Sequence, residues 1–118
     1  MKSVVTFAAL SVISVMLIKR FVYFQPTHKH LYTMSEGFID VSAGGLHGWY
    51  SSASRTGKVV VVCHGNGGNI SHSTNLIENI QRMGRGVLIF DYPGYGYSPG
   101  VPSQKSLYTA VESYVQYL

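Results

Sequence analysis

The sequence has few of the residues that carry cross-links or carboxylate chemistry. Cys63 is the sole cysteine among 118 residues, so no disulfide can form within the chain. Four of the five acidic residues, Glu36, Asp40, Glu78 and Glu112, show no pairing typical of carboxylate catalysis. Charged residues make up 12% of the chain and hydrophobic residues 46%, a composition that excludes disorder. One small domain, tightly packed or attached to a membrane, is therefore expected.

The histidines also lack the neighbours that a metal site needs. No histidine pair has a cysteine or a carboxylate beside it in the sequence, as a zinc site would want, so we predict no metal and no cofactor. No histidine follows His72. The five histidines are His28, His30, His47, His64 and His72.

The longest uncharged run lies at the amino terminus. Residues 3–18 (SVVTFAALSVISVMLI) would rise about 24 Å as a helix, against about 30 Å of bilayer hydrocarbon. The basic and aromatic residues that follow, Lys19 and Arg20 among them, can lengthen the effective span by snorkelling and interfacial contacts. We expect a transmembrane or signal-anchor helix over residues 1–24, with the membrane side left open.

Other interpretations of this run remain. A cleaved signal peptide fits the length of the apolar core, but no small-x-small cleavage site follows between Lys19 and His30. A buried helix of a soluble protein is a further alternative. The basic residues cluster just after the run, which favours an anionic bilayer over nucleic acid as a partner.

Residues 25–30, with Pro26 and the polar THKH, are interpreted as a linker, and residues 31–118 as one domain. Residues 38–41 and 46–50 flank a glycine pair, which predicts a β-hairpin. Within the domain, short apolar runs alternate with glycines.

Two apolar runs predict buried strands. Residues 58–63 (KVVVVC) and 86–90 (GVLIF) are typical of parallel strands buried on both faces, so Cys63 is expected to be an inert buried thiol. Between them, a helix is predicted to begin at a Ser71 or Ser73 cap and to end at Gly84, giving a right-handed strand-helix-strand unit. The apolar positions of this helix are Leu76, Ile77, Ile80 and Met83.

A last helix is predicted after a Ser103 cap and runs to the final residue without a stop signal. Its apolar stripe comprises Leu107, Val111, Tyr114, Val115 and Leu118. No internal repeat or low-complexity tract interrupts this pattern.

Two glycine-rich loops follow the two buried strands. HGNGGN begins at His64 and DYPGYGYSPG begins at Asp91, and ligands of α/β proteins collect at this edge of the sheet. Backbone N–H groups in such loops can point at an anion. Two loops on adjacent strands therefore describe one site.

These motifs carry a family resemblance. KVVVVCHGNGGNISH, followed by VLIFDYPGYGYSPG, resembles the α/β-hydrolase fold, in particular the membrane-anchored serine hydrolases similar to alpha/beta hydrolase domain-containing protein 13 and its bud-emergence relatives. The resemblance runs from about Arg20 to Leu118, and includes VYFQP and LHGWY. It implies the amino-terminal part of a mixed, mostly parallel sheet with helices on both faces, preceded by one membrane-anchor helix. It also implies ester, thioester or amide hydrolysis by acyl transfer.

The resemblance assigns roles to particular residues. The backbone N–H of Asn66 would form part of an oxyanion hole, with Gly67 giving room. Asp91 would order its turn and would not serve as the catalytic acid. The structural residues implied at the edge of the site are His64, Gly65, Asp91, Gly94 and Gly96.

Ser98 lies in a Gly-x-Ser-x-Gly pattern but fails as a nucleophile. The second oxyanion donor is the N–H of the residue after the serine, and here that residue is Pro99, which has none. In this fold the acid and the histidine follow the serine, yet no histidine follows His72. None of the triad is therefore expected in these 118 residues, and the nucleophile is expected beyond Leu118.

Two other functions stay open. The chain could be a non-catalytic, membrane-bound interaction module. It could also bind a dinucleotide, because Gly65 and Gly67 match the first two glycines of that fingerprint, although Ile70 replaces the third.

Overall fold

The computed structural model describes residues 2–52, 55 and 57–118, and gives an α/β domain preceded by an apolar helix. Helix α1 (Lys2–Ile18) continues into a π-helical turn at Lys19–Tyr23. The strands are β1 (Ile39–Ala43), β2 (Leu46–Ser51), β3 (Val59–Val62) and β4 (Gly86–Phe90). A 3-10 turn at Ile70–Ser73 leads into α2 (Thr74–Arg82), and α3 spans Gln104–Tyr117.

The strands form one mixed sheet in the order β1-β2-β4-β3. Strands β1 and β2 form the predicted hairpin, and Gly44 and Gly45 at its turn have φ of 58° and 76°. Strand β2 pairs antiparallel with β4, whereas β3 pairs parallel with β4, as predicted for the strand-helix-strand unit. The expectation of a mostly parallel sheet is wrong for the described residues, because the hairpin contributes two antiparallel pairings.

Strand β4 is fully buried because both of its faces are covered. Val87 and Ile89 pack with Ile77 of α2 on one face. Leu88 and Phe90 pack with Tyr114 of α3 on the other. This period-two alternation places the helices on opposite faces of the sheet, as expected.

Strand β3 differs from the prediction of a strand buried on both faces. Three of its four residues are only half-buried, and Cys63, predicted to be buried, is exposed. In the described part of the chain β3 pairs only with β4, so its other edge has no neighbouring strand. The run of valines indicates a strand that is suited to a covered sheet, but it does not indicate whether a second neighbouring strand is present.

The helix boundaries follow local signals only in part. Ser103 caps α3 as predicted, because its hydroxyl accepts from the Ser106 N–H at 3.0 Å. Gly84 ends α2 with φ of 76°. Ser73, one of the two predicted caps, occupies the N-cap position of α2, but its side chain makes no capping hydrogen bond. The Asn69 side chain instead caps the preceding 3-10 turn.

Only part of each predicted apolar stripe is buried. Ile77 and Tyr114 have no exposed surface. Leu76, Met83 and Val115, by contrast, are all more than half exposed. Periodicity located the helices but overestimated the width of their buried faces.

Helix α1 extends from the domain, and its apolar side chains from Val4 to Ile18 are exposed. Across the described ranges, no helix combines the length and apolar character needed to cross a membrane. The expected membrane-spanning helix over residues 1–24 is therefore not supported.

The open edge of β3 predicts self-association of the domain. A protein of residues 25–118, which lacks α1 but keeps the segment 25–30, should form oligomers or aggregates as its concentration rises, because exposed apolar edges recruit other chains. Sedimentation velocity over a concentration series measures this. A monomer at every concentration, with one cooperative melting transition, would contradict it.

Candidate active site

The two glycine-rich loops meet at the carboxyl edge of β3 and β4. The Tyr92 N–H donates to His64 Nε2 at 3.3 Å, and the Tyr92 hydroxyl donates to the His64 carbonyl at 2.7 Å. The Ile70 N–H, at the end of the first loop, donates to Asp91 Oδ1 at 3.0 Å. The parallel pairing of the two strands thus brings both loops to one site.

Asp91 is the centre of the second loop. Its carboxylate has no exposed surface, and Oδ2 accepts from the Tyr97 N–H at 3.1 Å and from His47 Nδ1 at 2.9 Å. Burial alone would raise the pKa of Asp91, but the hydrogen bonds from His47, Ile70 and Tyr97 outweigh it and hold the pKa below its usual value. Asp91 is thereby held as a buried anion.

His47 links Asp91 to the hairpin. Its Nε2 donates to Asp40 Oδ1 at 2.9 Å while Nδ1 donates to Asp91. Burial would lower the pKa of His47, but the hydrogen bonds to Asp91 and Asp40 outweigh it and raise the pKa above the usual value. The imidazole therefore carries a proton on each nitrogen in this arrangement.

Gly96 is required by the position of Asp91. Its φ is 49°, and a Cβ built there would collide with the Asp91 carboxylate. Any side chain would therefore displace the carboxylate or the turn. Gly94, also at positive φ, closes the same turn by donating its N–H to the Pro99 carbonyl at 3.1 Å.

Ser98 is buried within this turn and is 4% exposed. Its hydroxyl donates to the Asp91 carbonyl at 2.7 Å and accepts from the His47 N–H at 2.9 Å. The hydroxyl thus ties the loop to β2 and offers no reactive face to a substrate.

His64 stacks on Tyr92 with ring centroids 3.9 Å apart. Its Nδ1 donates to the Gly65 carbonyl at 2.9 Å, while Nε2 accepts from the Tyr92 N–H. These contacts require the neutral ring with its proton on Nδ1. Burial lowers the pKa of His64, which agrees with a neutral ring.

Asn66 and Gly67 form an exposed turn after His64, and Gly67 has φ of 80°. Over the described residues, neither backbone N–H of this turn donates a hydrogen bond. The Asn66 side chain holds the turn in place: Oδ1 accepts from the Tyr95 hydroxyl at 2.8 Å, and Nδ2 donates to the Tyr23 carbonyl at 3.0 Å. Two free donors thus sit on a fixed turn beside the site.

The segment 25–30, interpreted as a linker, is bound across both loops. The Thr27 carbonyl accepts from the Gly96 N–H at 2.8 Å, and the Lys29 carbonyl accepts from Asn69 Nδ2 at 2.9 Å. Asn69 has no exposed surface. The polar composition of the segment gave no hint of this docking, although a buried asparagine in the receiving loop is the kind of residue that satisfies such carbonyls.

The site residues implied by the sequence all lie at this edge: His64, Gly65, Asn66, Gly67, Asp91, Gly94 and Gly96. His30 and His47 join them, although the sequence placed neither there. A serine nucleophile is activated by a hydrogen bond between its hydroxyl and a histidine ring. Among the described residues, at this site and elsewhere, no serine hydroxyl makes such a bond.

The neutral state of His64 predicts acid sensitivity. The ring titrates at its ordinary pKa of 6.5 in the unfolded chain and at a lower pKa in the folded chain. Its contribution to the free energy of unfolding is therefore complete above pH 6.5 and is lost as the pH falls through the folded pKa. Protonation also breaks the bond from the Tyr92 N–H. An NMR titration should show His64 protonating at lower pH in the folded than in the urea-unfolded chain.

His64→Gln is the matched control, because glutamine keeps an acceptor for Tyr92 but cannot take up the proton. This variant should lose stability less steeply than the native chain on acidification from about pH 7 to about pH 5. Equal steepness, or an imidazole that titrates alike in both states, would contradict the assignment.

Comparison with known proteins agrees with this architecture. The family profile described as the alpha/beta hydrolase fold matches residues 58–118. The uncharacterized protein Rv2307c of Mycobacterium tuberculosis is 42% identical over 64 residues, which cover 52% of this chain and 23% of that protein. The uncharacterized protein YfhR of Salmonella typhi is 32% identical over 78 residues, covering 62% of this chain and 27% of that protein.

Solved structures share the fold at low identity. The Pyrococcus furiosus esterase Pf2001 superposes with a TM-score of 0.66 at 20% identity, covering 80% of this chain and 40% of that one. An alpha-beta hydrolase of Vibrio vulnificus superposes with a TM-score of 0.54 at 20% identity, over 69% of this chain and 29% of that one. The chain spans about a quarter of the length of the curated relatives named above. With its sheet, its paired loops and the profile match over half its length, the chain belongs to the α/β-hydrolase fold family.

Proposed function

We propose that this chain is the amino-terminal part of a membrane-attached serine hydrolase, of the type of alpha/beta hydrolase domain-containing protein 13 and its bud-emergence relatives. Its substrates are acyl esters, thioesters or amides, including peptides, cleaved by acyl transfer to serine. The observation that carries the proposal is the exposed Asn66–Gly67 turn, whose backbone N–H groups are free of internal partners in the described chain.

This turn suits an oxyanion hole. In acyl transfer, negative charge develops on the former carbonyl oxygen, and fixed N–H donors stabilise that charge without reorganising. One such donor contributes about 3 to 4 kcal/mol to the transition state. The Asn66 side chain anchors the turn to Tyr95 and Tyr23, so the donors are preorganised.

The catalytic triad is proposed to come from residues beyond Leu118. Two observations support this: the relatives are about four times as long as the part this chain spans, and the described residues hold no serine-histidine pair. Ser98 is committed to the Asp91 turn by both hydrogen bonds of its hydroxyl. The chain contributes the oxyanion turn and its supporting loops.

Membrane attachment is proposed for α1. Apart from the hydroxyls of Ser3, Thr6, Ser11 and Ser14, its exposed side chains from residue 3 to residue 18 are apolar, and water alone does not favour such a surface. The 17 residues rise about 26 Å. Because the Tyr23 carbonyl is bonded to Asn66, the carboxyl end of this helical segment lies beside the oxyanion turn, and a substrate in the bilayer surface would be close to it.

A non-catalytic, membrane-bound module is the second candidate, and the lack of a serine-histidine pair among the described residues favours it for the 118-residue chain alone. A dinucleotide-binding function finds no support, because the third glycine position is filled by the buried Ile70.

Fluorophosphonate labelling tests the proposal. The 118-residue chain should not be labelled, whereas the longer protein that continues past Leu118 should be. In the longer protein, Asn66→Pro removes one N–H donor and should lower kcat on an activated ester by about 100- to 1000-fold.

Asn66→Ala is the matched control, because it removes the anchoring side chain but keeps the N–H donor. Its loss of kcat should be smaller than that of Asn66→Pro. Labelling of the 118-residue chain that disappears in Ser98→Ala would overturn the proposal, and so would equal kcat for the two Asn66 variants.

A further inference from the structure

Three donors crowd one oxygen of Asp91. Oδ2 faces the Tyr97 N–H at 3.1 Å, His47 Nδ1 at 2.9 Å and His30 Nε2 at 3.4 Å. A carboxylate oxygen offers about two lone-pair directions, and one of them is taken by the backbone N–H of Tyr97. Two imidazole nitrogens therefore converge on the one lone pair that remains.

A metal ion between these atoms resolves the crowding. We propose that His30, His47 and Asp91 form a binding site for Zn²⁺, through His30 Nε2, His47 Nδ1 and Asp91 Oδ2. The three atoms all lie within 4.8 Å of one another. Bond lengths near 2.0 to 2.2 Å in a tetrahedral site place ligand atoms roughly 3.4 Å apart. His30 Nε2 already lies at this separation from Asp91 Oδ2, His47 Nδ1 is about 0.5 Å closer to Asp91 Oδ2, and the two nitrogens lie within 4.8 Å of each other, so small shifts bring all three atoms onto one ion.

The site has the supporting contacts that metal ligands use. Asp40 Oδ1 accepts from His47 Nε2, which turns Nδ1 toward Asp91 as in carboxylate-histidine-zinc arrangements. The Ile70 N–H fixes the other oxygen of Asp91. Tyr97 stacks on the His30 ring with centroids 3.8 Å apart, which holds that ring in place.

The ligand chemistry and the access both favour zinc. Two imidazoles and one carboxylate suit a borderline divalent ion, whereas Ca²⁺ and Mg²⁺ prefer oxygen ligands alone. A cavity of about 350 Å³, lined by His30, His47 and Tyr97 among others, opens beside the cluster, so an ion can enter and water can fill the fourth position. On binding, each ligating nitrogen presents a lone pair to the ion, and the proton that His47 Nδ1 donates to Asp91 passes to solvent.

The three ligands come from separate parts of the chain: His30 is the last residue of the segment 25–30, His47 lies in β2, and Asp91 follows β4. A bound ion would fasten that segment to the sheet. None of the ligands belongs to the Asn66–Gly67 turn, so the inference does not depend on the proposed hydrolase activity.

Zinc binding to the untagged 118-residue chain in nonionic detergent tests the proposal, after metal has been removed with a chelator. One equivalent of Zn²⁺ should bind and raise the Tm, and Co²⁺ should give the visible absorption of a tetrahedral site. His30→Gln and His47→Gln should each weaken Zn²⁺ binding by at least about tenfold.

His28→Gln is the matched control, because His28 lies two residues from His30 but bonds only the Gly96 carbonyl among the described residues. It should leave Zn²⁺ affinity unchanged. Circular dichroism confirms that each variant is folded. His30→Gln removes one ring contact to a carboxylate, whereas His47→Gln removes two, so His30→Gln keeps the test decisive if His47→Gln unfolds. Unchanged affinity in folded His30→Gln, or no saturable binding by the native chain, would overturn the proposal.

Discussion

The buried carboxylate of Asp91 is the constraint on which the rest of the site depends. An anion with no exposed surface is costly to bury unless nearly all of its lone pairs accept hydrogen bonds. The donors come from the first loop, from β2 and from its own turn, through Ile70, His47 and Tyr97. The hydrogen bonds that the Asp91 carboxylate accepts therefore fix three parts of the chain relative to one another. Gly96 belongs to the same constraint, because only a glycine leaves room for the carboxylate.

This arrangement separates support from chemistry. The polar side-chain atoms of Asp91, Ser98 and His64 form hydrogen bonds that hold the loops together, so these side chains have no free group for a substrate. The Asn66–Gly67 turn does the reverse, since its side chain is anchored while its backbone donors stay open. Preorganised donors on a rigid support are what stabilisation of an oxyanion requires. The segment 25–30 adds to that rigidity and joins the loops to the apolar helix.

Local signals in the sequence predicted the elements whose causes are local. The glycine pair gave the hairpin, Ser103 gave the start of α3, and the apolar run 86–90 gave a strand covered on both faces. Failures occurred where the cause is a neighbour distant in sequence. Cys63 is exposed because β3 lacks a second partner in the described chain, a fact that its own valines do not encode.

The histidines illustrate the same limit at the site. Along the chain, His30, His47 and Asp91 are far apart, so spacing showed no cluster. The antiparallel pairing of β2 with β4 and the docking of the segment 25–30 bring them together. The loop glycines, by contrast, could be assigned to the site from sequence because both loops directly follow predicted parallel strands.

Replacement of Asp91 measures its organising role most directly. In equilibrium unfolding of the metal-free chain in nonionic detergent, followed by the fluorescence of Trp49, Asp91→Asn should lower the free energy of unfolding by about 3 kcal/mol, since an amide nitrogen would face buried donors. Asp40→Asn alters the exposed partner of His47 and should lower the free energy of unfolding by less than about 1 kcal/mol. Comparable losses in the two variants, or a loss below about 1 kcal/mol for Asp91→Asn, would contradict the account.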